Sequence, residues 1–149
     1  MAEEIRIRIQ RLPGNEDIPL PRYMTDRSSG MDIHAAVGEE TIIPQGGIKA
    51  VPTGIAVSIP EGYEAQIRPR SGLAVNSGIT LINAPGTVDA DYRGEIRILL
   101  INLGREPYAV RRGDRIAQMV IQPVCRVEWN EVESLDPTQR GGGGFGHTG

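Results

Sequence analysis

Apolar and polar residues alternate over several short stretches of the chain. Ile5, Ile7 and Ile9 alternate with Arg6, Arg8 and Gln10; Ile55, Val57 and Ile59 repeat the pattern, and so do Ile96, Ile98 and Leu100. A period of two places every second side chain on one face of an extended backbone, so each stretch predicts a half-buried β-strand. Helical periodicity is scarce. Glycine and proline interrupt the chain at short intervals, among them Pro13-Gly14, Gly46-Gly47, Pro60, Pro85-Gly86, Gly104 and Gly113. Short strands separated by turn signals predict an all-β sandwich, barrel or jelly roll. One short helix is expected from Ser71 to Ser77, where Gly72-Leu73-Ala74-Val75 follows a serine able to cap it. No internal repeat or linker divides the chain, and 149 residues fit one domain with a real core. That domain is expected over residues 1–136, followed by a glycine-rich tail over 137–149.

Composition narrows the function. No run approaches the roughly 20 apolar residues of a membrane span. The first residues, MAEEIRIRIQ, are acidic and alternating, unlike a basic-then-apolar signal peptide. The single cysteine, Cys125, can form neither an internal disulfide nor a zinc cage, which suits a reducing compartment. A cytoplasmic protein is therefore expected, with no membrane partner. A formal net charge of −3 argues against broad binding to nucleic acid. Local charge differs. No acid lies between Glu64 and Asp89, and that interval holds Arg68 and Arg70. Lys49 is the only lysine and fits no phosphate-loop pattern, whereas arginine suits forked contacts to phosphate oxygens.

Five segments carry candidate chemistry. In Arg68-Pro69-Arg70-Ser71-Gly72, an arginine and a serine at a helix start stand beside a glycine that permits close approach, a combination suited to phosphate. The plain alternative is a surface turn. The run from Asn83 to Glu95 offers an amide for base recognition, carboxylates at Asp89 and Asp91 for proton transfer, and the Tyr92 ring for a sugar or base. The plain alternative is an ordinary hairpin with solvated acids. In Gly30-Met31-Asp32-Ile33-His34, Asp32 could meet Mg²⁺ directly or through water, while His34 reads as a structural or surface histidine. Arg112-Gly113-Asp114-Arg115 leads into a strand that places Gln118 inward or at a site edge. Finally, the terminal glycines are bracketed by Arg140 and Phe145, the only phenylalanine. Such a run is normally disordered, but a mobile strap with a cation and a stacking ring would have this composition.

Taken in this order, the five segments resemble the all-β dUTP pyrophosphatase (dUTPase) family, from about Ser29 to Gly149. The resemblance implies a jelly-roll homotrimer with three active sites at subunit interfaces and a requirement for Mg²⁺. It implies hydrolysis of dUTP to dUMP and pyrophosphate by water attack on the α-phosphorus. That reaction limits uracil incorporation into DNA and supplies dUMP for thymidylate synthesis. Matched to the family's motifs, Asp89 would be the general base. Asn83, with the backbone of Thr87, Val88 and Asp89, would line the uracil and sugar pocket. Tyr92 would pack on the deoxyribose. Arg70, Ser71, Gly72 and Gln118 would hold the phosphates, and Asp32 would act near the metal through water. Arg140 would contact the terminal phosphate, and Phe145 with Gly146 would close over the uracil of an active site.

The tail departs from the family pattern at His147, where serine is usual, although Thr148 follows. Met31 and His34 also differ, without touching an expected role. Among alternatives, a deoxycytidine triphosphate deaminase shares the fold and trimer, but the run from Asn83 to Tyr92 and the Phe145 tail favour the pyrophosphatase. A nucleotide-binding regulator would more readily lack Asp89 or Ser71, and both are present. A purely structural jelly roll explains none of the polar segments.

Overall fold

The computed structural model describes residues 4–147. Thr148 and Gly149, named above as part of the tail, lie outside them. Eleven strands and one helix follow one another among the described residues. The strands are β1 (Arg8–Arg11), β2 (Met31–His34), β3 (Thr41–Ile43), β4 (Ile48–Pro52), β5 (Ile55–Ser58) and β6 (Tyr63–Arg68). The helix α1 (Ser71–Ser77) comes next, then β7 (Ile79–Leu81), β8 (Gly86–Val88), β9 (Arg97–Asn102), β10 (Tyr108–Val110) and β11 (Arg115–Pro123). The expected all-β architecture with one short helix is thus the observed one.

All strand pairs are antiparallel. They form a four-stranded sheet ordered β2-β11-β6-β8, a three-stranded sheet β4-β9-β7, and the pairs β1-β5 and β10-β3. The alternating stretches supply one continuous core. Ile96, Ile98 and Leu100 are buried with Val51 of β4, Ile33 of β2 and Ile43 of β3, while Arg97 between Ile96 and Ile98 faces out. The first alternating stretch is realised less fully. Only Arg8–Arg11 pairs as a strand, against β5, while Ile5 and Ile7 are half-buried and Ile9 is exposed.

The buried Asn102 side chain is fully hydrogen-bonded. Asn102, fully buried, donates through Nδ2 to the carbonyls of Ile43 (2.9 Å) and Glu106 (2.8 Å) and accepts from the Gly104 amide (2.9 Å). Leaving such groups unpaired would cost about 1–3 kcal/mol each. Arg112 clamps the early loop onto the turn before β11. It grips the Asp17 carboxylate through Nε (2.9 Å) and Nη2 (2.7 Å), and its Nη2 also donates to the Gly14 carbonyl (2.8 Å).

Beyond Pro123 no strand forms among the described residues, and Val124 to Gln139 are exposed throughout, Trp129 among them. No helix is long and apolar enough to cross a membrane among the described residues.

Candidate functional site

The turn between β6 and α1 carries the first cluster. Arg70, not Ser71, occupies the helix N-cap, and no side chain caps the helix. The expected serine cap is therefore absent, because Ser71 already has helical geometry and the extended Arg70 (φ −91°, ψ 130°) precedes it. The Arg70 guanidinium is turned to the neighbouring strands instead. Its Nε lies 3.2 Å from Asp32 Oδ1 on β2, and its Nη1 donates to the Arg115 carbonyl at 3.3 Å. The helix ends at Gly78, whose positive φ of 66° lets its amide close back on the last turn.

β11 completes the cluster. Gln118 lies opposite Asp32 of β2 on one side and opposite Arg68 of β6 on the other. Residues directly opposite in antiparallel strands share a face. Arg115, three positions away, would belong to the other face of a regular strand. A register shift between Arg115 and Ala117 in the pairing with β2 removes that obstacle: Ile116 and Ala117 are both buried, and Arg115 joins Gln118 on the outer face. Arg115 Nη1 then stands 3.6 Å from Asp32 Oδ2. Gln118 donates through Nε2 to the Pro69 carbonyl (2.9 Å), bracing the turn that holds Arg70 and Ser71. Gly30 makes this possible, since a Cβ there would fall 2.4 Å from Gln118 Oε1.

These residues line one open cleft of about 420 Å³ that includes Asp32, Arg70, Ser71, Gly72, Arg115 and Gln118. Two guanidinium groups face one carboxylate there, leaving one net positive charge for an anion. On β2 opposite Arg115, His34 is held below the usual histidine range, first by burial, then by nearby Arg115, Arg22 and Arg70, with Asp32 opposing them. Its Nδ1 is buried with no hydrogen-bond partner. A neutral imidazole fits these surroundings.

The second cluster begins after β7. Residues 83–95 do not form a simple hairpin. β8 crosses to the edge of the four-stranded sheet and pairs with β6, Thr87 opposite Gln66, while β7 pairs with β9 in the other sheet. The Ala84-Pro85 peptide is cis. A pocket of about 240 Å³ opens along β8, lined by Asn83, Gly86, Thr87, Val88, Asp89 and Tyr92 together with Glu95. Asp89 and Tyr92 are exposed, and Asp89 also borders an adjoining cleft of about 640 Å³. Asp91, Cys125 and Arg126 line that larger cleft too.

The two clusters line separate cavities that share no residue. Arg140, Phe145 and Gly146 line neither. The tail turns on itself: Arg140 Nε donates to the Gly143 carbonyl at 2.7 Å, and Phe145 stands fully exposed with a positive φ of 52°.

A family model described as dUTPase matches residues 16–149. The chain belongs to the dUTPase family. A protein of Anaplasma marginale named deoxyuridine 5'-triphosphate nucleotidohydrolase is 56% identical over 145 residues, spanning 97% of this chain and 99% of the relative. Its namesake in Ehrlichia canis is 55% identical over 148 residues, 98% and 96% of the two chains. Among solved structures, a dUTPase mutant of Staphylococcus bacteriophage 80alpha with dUpNHpp superposes with a TM-score of 0.85 at 25% identity, covering 97% of this chain and 98% of that one.

Three features of this family member escape a reading along the chain. Arg68 does not line the arginine cleft; its Nη2 donates to Gln66 Oε1 at 2.8 Å, and Arg115 is the second cleft arginine. The acid-free interval is misleading in space, because β2 delivers Asp32 into it. Gly30 has no positive φ to mark it, so only the Gln118 side chain explains why glycine is needed there.

Among the described residues no group of three or more His, Cys, Asp or Glu is arranged to hold a metal ion. Asp32 already has two guanidinium neighbours. A single, partly neutralised carboxylate fits a Mg²⁺ that keeps most of its waters and draws its other ligands from substrate phosphates.

Proposed function

We propose that this chain is a dUTP diphosphatase, hydrolysing dUTP to dUMP and pyrophosphate as a cytoplasmic jelly-roll homotrimer with shared active sites. The observation that carries this reading is the combination, in one member of the dUTPase family, of an arginine-lined cleft with a pocket on an edge strand that runs straight into a carboxylate. The activity limits uracil incorporation into DNA and supplies dUMP for thymidylate synthesis.

Arg70, Ser71, Gly72 and Gln118 hold the phosphates. Asn83 and the backbone of Thr87, Val88 and Asp89 take the uracil and sugar, with Tyr92 packed on the deoxyribose. Asp89 orients and deprotonates the attacking water. The triphosphate carries close to four negative charges, so fixed guanidinium groups lower the barrier by offsetting charge where the water approaches. Mg²⁺, held through water by Asp32, would add to that neutralisation and polarise the phosphoryl oxygens. No covalent intermediate is needed.

Gly30→Ala should disturb phosphate binding selectively. The new methyl would push the Gln118 carboxamide away and break its bond to Pro69. Losing one such hydrogen bond is worth about 0.5–1.5 kcal/mol, or roughly a two- to twelve-fold rise in KM for dUTP. Steady-state kinetics with a melting curve check this; an unchanged KM would free Gln118 of its bracing role.

The separation of the two clusters and the tail within one chain supports the reading of shared sites. The tail, residues 137–149, then closes over a neighbour's site, with Arg140 on the terminal phosphate and Phe145 and Gly146 over the uracil. Two inactive variants should therefore rescue one another: Asp89→Asn with an intact tail, and a chain truncated before Arg140 with Asp89 intact. Mixed trimers contain some sites with both parts, so co-refolding should restore a fraction of the activity. Simple mixing should restore less, because large obligate interfaces exchange slowly. Mixed trimers, confirmed by mass, that show only the summed residual activities would assign each tail to its own subunit.

A further inference from the structure

Gly94 sits between Tyr92 and Glu95 without the positive φ that would demand a glycine. What demands it is the tyrosine ring. A Cβ on Gly94 would fall 2.5 Å from Tyr92 Oη, 2.7 Å from Cζ and 3.0 Å from Cε2. The phenol lies across the bare α-carbon, and its hydroxyl donates to the Glu95 carbonyl at 2.8 Å.

That carbonyl is itself firmly placed. Glu95 Oε1 accepts from the Gly54 amide at 3.0 Å, the Ile96 amide donates to the Ile55 carbonyl at 2.9 Å, and Thr53 Oγ1 donates to the Ile96 carbonyl at 2.5 Å. Thr53 is buried, so these bonds tie residues 95–96 to the turn between β4 and β5. Tyr92 is otherwise 45% exposed, with little packing to choose its rotamer. The ring's position over the pocket therefore depends on the space at Gly94 and the acceptor at Glu95.

We propose that Gly94 and Glu95 are positioning residues for sugar selection, fixing the Tyr92 ring at the place that admits 2′-deoxyribose and leaves no room for a 2′-hydroxyl. The inference rests on the reading of Tyr92 as the residue packed on the sugar, and goes beyond it by naming what holds the ring. Steric selection of this kind is sensitive to small displacements, since the group being rejected is a single hydroxyl.

The test compares kcat/KM for dUTP and UTP, with Mg²⁺, in the full-length wild type, Gly94→Ala and Tyr92→Phe, alongside the melting temperature of each. The wild type should prefer dUTP by on the order of 10²-fold or more, the scale at which a close pocket rejects an added hydroxyl. Gly94→Ala should displace the ring and reduce that preference at least about ten-fold. Tyr92→Phe keeps the ring but loses the bond to Glu95, and should reduce the preference by about three-fold, roughly the worth of one hydrogen bond. A lowered melting temperature alone would affect both nucleotides equally. Equal losses on dUTP and UTP in both variants would overturn the positioning role while leaving a selective wild type intact. Should Gly94→Ala fail to fold, an unchanged preference in Tyr92→Phe would overturn it as well. A wild type that hydrolyses dUTP but does not distinguish it from UTP would instead remove the sugar role of Tyr92, and the inference with it.

Discussion

dUTP is expected to be hydrolysed about 10⁴-fold more efficiently than dCTP, the scale on which a hydrogen-bonding site rejects a mismatched analogue. The reason lies in β8. It is an edge strand, paired with β6 on one side only, so the other side of Gly86–Val88 presents backbone donors and acceptors to the pocket. Asn83 adds an amide beside them, its Nδ2 3.2 Å from where a Gly86 Cβ would stand. Backbone groups cannot rotate to suit another base. Cytosine reverses the donor–acceptor pattern that uracil offers, leaving polar groups on both partners unpaired. dTTP should also be poor, because its methyl group must enter the same close pocket. Pyrophosphate release across dUTP, dTTP, dCTP and UTP measures the ratios directly. Comparable rates with dUTP and dCTP would mean that β8 does not read the base.

Asp89→Asn is expected to lower turnover at least about 10²-fold while leaving dUTP affinity nearly unchanged, because the substitution keeps size and hydrogen bonding but removes the proton acceptor. The local structure should tolerate it. Asp89 is exposed, and the bond that shapes the following turn, from the Tyr92 amide at 3.1 Å, is accepted by its backbone carbonyl. Single-turnover measurement of the chemical step, with a binding titration using a non-hydrolysable analogue, separates the two effects. Turnover near the wild-type value would remove Asp89 from its assigned role and leave Asp91, on the adjoining cleft, as the carboxylate to examine.

What was legible along the chain was local in origin. The alternations at Ile55–Ile59 and Ile96–Leu100 are strands with buried branched residues, and the helix occupies the expected span. Local pattern could not show which strands become neighbours. The run from Asn83 to Glu95 reads as a hairpin because Pro85-Gly86 is a strong turn signal, yet β8 pairs with β6, about twenty residues earlier in the chain. The arginine cleft is a sharper case. Asp32, Arg70 and Arg115 come from three distant segments and meet because β2 and β6 flank β11. The segments that the family resemblance pairs with phosphate do line one cleft, but Arg115 and Gly30 take their places there only through side chains across the sheet.

The extra residue in β11 has a consequence for anyone who would redesign this protein. A computational idealisation of the sheet would treat the irregularity at Ile116 as a flaw and delete it, restoring an uninterrupted ladder with β2. The regularised strand would send Arg115 inward among aliphatic side chains, or else carry Gln118 there. Either way one member of the cleft is lost, and a charge or an amide is buried without partners. Ladder perfection and ligand geometry thus pull in opposite directions at one position. The natural sequence settles that contest by keeping a strand that is imperfect as architecture.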